Sequence, residues 1–290
     1  MRFSVEGRIR EIRWAIWGYG NYIKPRFRKK HGYPLNLENP RTFSEKIQWI
    51  KVNGHLERFS KYTDKYIVRD YVREKVGPGF VVPVLGVCDR FSDIDLKSLP
   101  KSFVIKTTHS SGWNVVVKDK TEVDWRSIGK RMNHWVRSSY YRKTGEANYK
   151  PLRGRILIEK YLEDPSGDLK DYKFFCFGGE PRFIQVDCNR YTDHRRDIYD
   201  SNWYRLPLRI YYANLSEPMA RPEKLDEMME TCRKLSKSFA FVRVDLYFTS
   251  GRIYFGELTF CPTGGMKPFI PVEYDDLFGE LLDLSSFERG

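Results

Sequence analysis

No run of apolar residues in this 290-residue chain reaches membrane-spanning length, which excludes an ordinary transmembrane helix. Residues 1–20 lack the short apolar core and small-residue cleavage site of a secretory signal. The expected compartment is the cytoplasm, with the inner face of the membrane as a variant of it. Cysteine is scarce: Cys88, Cys176, Cys188, Cys232 and Cys261 are scattered, odd in number and without CxxC or Cys/His ligand spacing. That pattern excludes a disulfide framework and a zinc site and leaves buried, reduced thiols. The GxxxxGK[ST] pattern of a P-loop is absent, and so are zinc-finger and RNP-type signatures. There is no internal repeat and no low-complexity tract. A βαβ rhythm is also missing, which argues against a doubly wound sheet.

What is present is charge and aromatic mass. The formal net charge is +13 and 16% of residues are aromatic, so the body should be a soluble globule with a sizeable core. A basic balance of this size suits acidic partners: nucleic acid, anionic lipid, polyanionic sugar or nucleotide phosphates. The basic residues are spread along the chain and carry no nucleic-acid motif, so nucleic acid is not expected. At the start, Val5, Ile9, Ile12 and Ile16 recur at spacings of four, three and four. They predict a basic amphipathic helix over 5–17, flanked by Arg2, Arg8, Arg10 and Arg13 and by Trp14 and Trp17. Such a helix fits peripheral contact with an anionic membrane through residues 1–20. Packing on the protein's own core, as most amphipathic helices do, is the favoured expectation.

Further along, Thr42 and Glu45 have capping-box spacing, and Phe43, Ile47 and Ile50 supply an apolar helical stripe. A second helix is expected over 64–75, capped by Asp64 and stopped by Gly77-Pro78-Gly79. A short strand over 81–85 follows, and the charged stretch 92–101 reads as a linker. Strands then dominate: 103–107, 114–118, 155–162, 172–177 and 181–186, the last two flanking Gly178-Gly179. Helices are expected over 124–140 and 224–237. A strong hairpin over 241–248 and 252–258 turns at Ser250-Gly251. Paired strands with helices between them point to an α+β fold.

Three places carry chemistry. In the last hairpin, Arg243 and Asp245 share one strand face and Glu257 and Thr259 share a face of the partner, with Asp245 roughly opposite Glu257. Two neighbouring carboxylates need a cation between them or a shared proton, and hard oxygen donors of this kind suit Mg²⁺ on nucleotide phosphates. A surface ladder of charges would read the same. In Phe103-Val-Ile-Lys-Thr-Thr-His-Ser-Ser-Gly-Trp-Asn-Val-Val-Val-Lys118, a small-residue loop lies between Lys106 and Lys118. Backbone N–H groups there would cover phosphates that the lysines neutralise; an ordinary hairpin has the same pattern. Finally, Ile156-Leu-Ile-Glu-Lys-Tyr-Leu162 is an apolar strand that abruptly carries Glu159 and Lys160. It reads as a rim for adenine and ribose, or as a strand reaching solvent.

These pieces stand in the order of the ATP-grasp superfamily, and the chain resembles its TupA-like branch, named for teichuronopeptide biosynthesis. The resemblance covers roughly residues 30–285. It is carried by Asn39-Pro-Arg-Thr-Phe-Ser-Glu-Lys-Ile-Gln-Trp49, Asp64-Lys65, Val68-Arg69, Tyr71-Val72, the stretch 103–118, Phe177-Gly-Gly-Glu-Pro181, Val242-Arg-Val-Asp-Leu-Tyr247 and Gly256-Glu-Leu-Thr-Phe260. It implies an ATP-grasp fold, two α+β lobes clamping ATP, with a short helical N-terminal region. The expected division is 1–100 for the helical region, 101–162 for the lobe with the phosphate loop and 163–290 for the lobe with the metal hairpin. By motif match, Lys65, Lys106 and Lys118 would contact phosphates, and His109, Ser110, Ser111 and Gly112 would close over them. Glu159, Lys160, Tyr161 and Leu162 would hold adenine and ribose. Asp245, Glu257 and Thr259 would ligate Mg²⁺, while Arg243 and Lys173 would be catalytic, stabilising charge on the transferring phosphoryl group. Thr259 stands where the family commonly has Asn, a better ligand. Many ATP-grasp ligases also carry a Rossmann-like domain in front, which a short helical region replaces here.

The implied activity is an ATP-dependent carboxylate–amine ligase with an acyl-phosphate intermediate. Its partners would be ATP, an acidic sugar or polysaccharide and an amine acceptor, with a uronic acid of a capsule or other bacterial surface polymer fitting the basic charge. Arg190, His194, Arg195 and Arg196 form a basic cluster that suits an acidic substrate and suits a solvated loop as well. The loop Cys261-Pro-Thr-Gly-Gly-Met-Lys-Pro268 follows the metal strand and is placed to wall the acceptor side, unless it is a mere turn. Two other classes compete. A nucleotide-sugar glycosyltransferase would use a DxD motif, which Asp93-Ile-Asp95 offers within a polar stretch. A non-enzymatic module docking on membrane or polyanion would explain the N-terminal helix and the charge but leave Asp245 and Glu257 idle.

Overall fold

Proline and hydrophobic alternation set the limits of the first sheet. A computed structural model describes residues 9–288 apart from 11, 15, 17 and 191, so Arg2, Val5, Arg8 and Trp17 of the expected N-terminal helix lie outside the described residues. The chain divides into two compact units, one of Glu57–Glu163 and one joining Ile9–Leu56 to the residues from Asp164 onward. Within the first unit lie β1 (Val84–Cys88), β2 (Phe103–Thr107), β3 (Asn114–Val117) and β4 (Ile156–Lys160). They form an antiparallel sheet in the order β1-β4-β2-β3. The expected strand over 81–85 begins instead at Val84. Pro83 has no N–H for the ladder, although its carbonyl accepts from the Lys160 N–H at 2.9 Å.

Along β2, Phe103 and Ile105 are fully buried while Val104 and Lys106 on the other side are half-buried. The buried side packs against the helix Trp125–Val136, which starts where the Asp124 carboxylate accepts from the Ser127 N–H at 3.1 Å. Ile128 and Met132 of that helix meet Phe103, Ile105, Val117, Ile156 and Ile158. The stretch 92–101, expected as a linker, is part of this unit, because Leu99 is buried in the same cluster. The helix expected over 64–75 is Val68–Val76, preceded by a turn in which Asp64 accepts from the Tyr66 and Ile67 N–H groups at 2.8 and 2.9 Å.

The second unit contains β5 (Asp171–Phe177), β6 (Glu180–Cys188), β7 (Arg195–Asp200), β8 (Arg209–Ile210), β9 (Phe241–Thr249), β10 (Arg252–Thr259) and β11 (Phe269–Ile270). Its main sheet is antiparallel, ordered β10-β9-β5-β6-β7, beside a small β11-β8 pair. The helix Leu225–Ser236 covers one face, packing on β5, β6 and β9. The helices Phe43–Asn53 and Glu273–Leu281 cover the end of the opposite face that carries Phe175, Phe177, Phe183 and Phe241. Phe183 and Phe278 stack at 3.8 Å, and Phe43 meets Phe241 edge-on at 5.2 Å. The Thr42–Glu45 capping box is formed, with Glu45 N–H donating to Thr42 Oγ1 at 3.1 Å. Gly279 lets the two helices meet closely, since a Cβ there would sit 2.2 Å from the Arg41 carbonyl oxygen.

The expected region 1–100 is therefore not a unit of its own: residues 9–56 belong with the C-terminal sheet. Nor does the N-terminal apolar stripe pack on the core. Residues 9–16 are helical where described, and Ile9, Ile12 and Ile16 are 45%, 57% and 70% exposed. Trp14, on the other side of that helix, is buried and edge-on to Tyr19 at 5.1 Å and to Tyr22 at 5.9 Å. Every cysteine is a free thiol, and all but Cys88 are buried.

Candidate functional site

The face that carries the phenylalanines changes character along its strands. Phe175 pairs with Arg243 across β5 and β9, and beyond that row the side chains are polar or charged. Lys173 lies opposite Asp245 on one side and Gln185 on the other, while Asp171 lies opposite Tyr247 and Asp187. Asp187 in turn lies opposite Arg196 of β7. A strip of charge thus crosses the sheet, held rigid by β5, whose every residue is buried.

The β9–β10 hairpin needs one irregularity. From the turn up to Phe255↔Leu246 the two strands stay in simple register, which continued would pair Glu257 with Val244. A bulge at Gly256 adds one residue, and Glu257 comes opposite Asp245 with Thr259 opposite Arg243. A one-residue slip reverses which face each side chain occupies, so the bulge decides whether Glu257 and Thr259 join the strip. Glycine is required there because a Cβ would press on the Asp245 carbonyl oxygen at 3.0 Å and the Tyr247 ring at 3.3 Å.

Arg243 holds Asp245 in a two-point fork, Nε to Oδ1 and Nη2 to Oδ2, both at 2.7 Å. Its Nη2 also donates to Thr259 Oγ1 at 3.2 Å, and that hydroxyl donates to Glu257 Oε1 at 3.0 Å. Burial works against the Arg243 charge, but Asp245 and Glu257 outweigh it and hold its pKa above the ordinary value. Lys173 Nζ donates to Asp171 and, at 2.9 Å, to Asp245 Oδ2. Asp187 takes Arg196 Nε at 2.6 Å and Gln185 Nε2 at 3.1 Å. Burial raises the Asp187 pKa, yet Arg196 and Lys173 bring it well below the usual carboxylate range.

A separate cluster lies on the face of the first unit's sheet opposite the helix Trp125–Val136. Glu159 is buried and paired on both oxygens, with Lys106 Nζ at 2.5 Å and Arg69 Nη1 at 3.0 Å. Arg69 also donates to the Val82 carbonyl. By register and alternation, Val104, Val116 and Leu157 share that face. Glu159, expected at a ribose, is thus the acid that fixes Lys106. Lys160 is exposed at the strand end, with Tyr161 and Leu162 half-buried after it.

The loop residues divide. The His109 and Ser110 side chains are buried and engaged within the protein, His109 Nε2 with the Ser138 carbonyl at 2.9 Å and Ser110 with the Thr107 hydroxyl at 2.5 Å. Burial lowers the His109 pKa, against the opposing hydrogen bond to the Ser138 carbonyl. Only Ser111 and Gly112, at φ 74°, form the loop's open tip, where backbone N–H groups are the available donors. Lys65 is tied into the same unit through its backbone N–H, which donates to the Thr108 carbonyl at 2.9 Å. Lys118 is exposed just beyond β3.

The basic cluster expected to bind an acid is largely neutralised from within. Arg190 pairs with Asp171 at 2.7 Å, Arg195 with Asp193 at 2.8 Å and Arg196 with Asp187. His194 stacks on Tyr212 at 3.6 Å, its Nε2 3.3 Å from Asp187 Oδ1 but out of hydrogen-bond alignment. Asp93 and Asp95 serve as local turn acceptors for the Arg90 and Lys97 N–H groups at 3.2 and 3.0 Å. Residues without an assigned role from sequence are Arg69, Asp171, Gln185 and Asp187. The available signal was spacing by two, Asp171/Lys173 and Gln185/Asp187, on strands flanking a Gly-Gly turn.

The donor set fits a divalent cation that shares its shell with phosphate. Among the described residues no group of three or more His, Cys, Asp or Glu forms a cage. Mg²⁺ on a nucleotide, however, takes one or two carboxylates and completes its shell with phosphate oxygens and water. Asp245 and Glu257 are a cross-strand pair of that kind, and Asp171 Oδ1 is buried beside them with no hydrogen-bond partner.

A family model described as TupA-like ATPgrasp matches residues 45–283. Among solved structures, similarity is found to D-alanine–D-alanine ligase from Bacillus anthracis, at 19% identity and TM-score 0.46, over 72% of this chain and 64% of that one. The D-alanine–D-alanine ligase of Helicobacter pylori matches at 14% identity and TM-score 0.42, over 76% and 58%. A RimK domain ATP-grasp protein from Sphaerobacter thermophilus matches at 10% identity and TM-score 0.41, over 78% and 69%. The chain spans less than two thirds of the length of either D-alanine–D-alanine ligase. No curated protein matches.

Proposed function

Because the chain belongs to the TupA-like ATP-grasp family, we propose that it is an ATP-dependent carboxylate–amine ligase that works through an acyl phosphate. The observation that carries this reading is the bulged pairing of Asp245 with Glu257, with Arg243 and Lys173 fixed on the same face. Asp245, Glu257 and the Thr259 hydroxyl would hold Mg²⁺, which supplies neutralising charge for the phosphates. Lys173, anchored by Asp171 and Asp245, is preorganised to meet a γ-phosphoryl oxygen. Arg243, locked by its fork to Asp245, presents a delocalised cation to the equatorial oxygens.

In the first unit, Lys106 is the phosphate cation and Glu159 and Arg69 set its position. Val104 and Val116, both half-buried on that face, offer apolar surface to a purine ring. A carboxylate oxygen of the acid attacks the γ-phosphorus as the bond to the bridging oxygen breaks and ADP leaves with that electron pair. The amine then attacks the acyl carbon, phosphate departs with the electron pair of its C–O bond, and the amine proton passes to solvent or phosphate. The acid proposed is a uronic acid of a bacterial surface polysaccharide and the acceptor an amino acid or amine, for which the basic charge and the family resemblance are the support.

Calorimetry with ATP and Mg²⁺ tests the reading. The native chain should bind ATP saturably and only with Mg²⁺, and Asp245→Asn with Glu257→Gln should weaken that binding at least about tenfold. Affinity for a UDP-sugar with none for ATP would replace the ligase with a glycosyltransferase.

A further inference from the structure

A different part of the molecule has no role in that chemistry. Residues 9–16, helical where described, expose Ile9, Ile12 and Ile16, which at spacings of three and four lie along one side. Trp14, opposite, is what attaches this helix to the fold, through Tyr19 and Tyr22. Folding buries one face of an amphipathic helix on the core as a rule, and here the aliphatic face is the one left in water.

The charge around the stripe says what would cover it. Residues 1–30 contain nine basic side chains (Arg2, Arg8, Arg10, Arg13, Lys24, Arg26, Arg28, Lys29 and Lys30) against two acids, Glu6 and Glu11, a net of +7. A tenth of the chain therefore carries more than half of its formal +13. Arg13 is exposed beside the stripe, and the next helix, Tyr19–His31, exposes Lys24, Arg26, Arg28, Lys29 and Lys30 while burying Tyr22, Ile23 and Phe27. No helix among the described residues is long and apolar enough to cross a membrane, so any contact would be with the surface.

We propose that residues 9–30 dock the protein on an anionic lipid surface, with Ile9, Ile12 and Ile16 entering the headgroup–acyl boundary and the basic side chains lying among acidic headgroups. An apolar stripe bordered by cations is the combination that binds such interfaces, because apolar burial and electrostatic attraction add. A partner protein with an apolar groove would leave this concentration of positive charge without a counterpart. Docking would bring the ligase reading's acidic polymer substrate within reach where such polymers are assembled on lipid, yet it stands or falls independently of that reading.

The test is flotation of the full chain with vesicles of phosphatidylcholine alone or mixed with phosphatidylglycerol. The chain should float with the anionic vesicles and stay behind with the neutral ones, and raised salt should reduce the bound fraction. Ile12→Ser with Ile16→Ser should lower partitioning about fivefold or more with an unchanged melting temperature, since both side chains are exposed. Three results overturn the proposal. One is absence of flotation with the anionic vesicles. Another is flotation indifferent to the isoleucine substitutions, which would mean adsorption by charge alone. The third is a concentration-dependent dimer abolished by the same substitutions, which would give the stripe to a second copy of this chain.

Discussion

The two charge clusters handle buried ions in opposite ways. In the first unit a single carboxylate, Glu159, serves two cations, Lys106 and Arg69, so the cluster has a surplus of positive charge and one point of failure. In the second unit, Asp171, Asp187, Asp245 and Glu257 face Lys173, Arg190, Arg196 and Arg243, and most members have more than one partner. The surplus suits a site that must attract an anion. The balanced network suits a site that must hold cationic side chains in place while tolerating an incoming metal–phosphate charge.

The sharpest way to break this comparison is to remove the single acid. Glu159→Ala leaves Lys106 and Arg69 as neighbouring, largely buried cations and should destabilise the protein by about 3–5 kcal/mol in urea unfolding. Arg69→Met combined with Glu159→Leu should cost less than the sum of the two single changes, since removing Glu159 alone strands the Arg69 charge and the double change does not.

A buried acid with no cation gives the next largest effect. Asp275 accepts from the Ser44 N–H at 2.8 Å and from the Tyr33 hydroxyl at 3.4 Å. Burial outweighs these bonds and raises its pKa to about 6. Because the folded pKa lies above the unfolded one, the stability is complete below about pH 4 and is lost as pH rises through 6. A rise of this size corresponds to about 3 kcal/mol, which Asp275→Asn should recover at pH 7 while flattening the profile between pH 4 and 6. The stability profile of the variant against pH checks the sign. Asp187, depressed by Arg196, runs the other way and loses its contribution only in strong acid.

Within the balanced network the loss of one acid should be absorbed. Asp187→Asn leaves Lys173 on Asp171 and Asp245, and Arg196 on the Ile210 carbonyl at 3.1 Å. The expected cost is about 1–3 kcal/mol, the range for one buried charged hydrogen-bond partner. A cost equal to that of Glu159→Ala would show that the second cluster has no redundancy.

Local signals and long-range ones fared differently in the sequence. The capping box at Thr42 and the hairpin turned at Ser250-Gly251 are specified within a few residues, and they stand where the pattern puts them. The strand β7 was hidden because His194-Arg-Arg-Asp-Ile-Tyr reads as a charged loop. Its Arg196 and Asp197 are buried only because Asp187, Arg205 and other groups meet them from elsewhere in the chain. The union of residues 9–56 with the C-terminal sheet rests on contacts such as Phe43 with Phe278, more than two hundred residues apart, for which no local pattern exists. At the β9–β10 hairpin the carboxylate pair was legible. The bulge that makes it a pair was signalled only by an isolated glycine inside a strand.

The smallest effect concerns Thr259, the third donor proposed for the hairpin. Thr259 spends its hydroxyl on Glu257 and accepts from Arg243, so as a metal donor it competes with its own hydrogen bonds. An amide at this position would offer a carbonyl oxygen to a cation while its NH₂ group remains able to donate to Glu257. Thr259→Asn should therefore tighten Mg²⁺-dependent ATP binding a few-fold, about 1 kcal/mol or less, with little change in melting temperature. Titrating Mg²⁺ at fixed ATP reads this directly. If affinity falls instead, the threonine hydroxyl acts chiefly by orienting Glu257 and Arg243, and the balanced network itself, rather than an added ligand, sets the strength of the site.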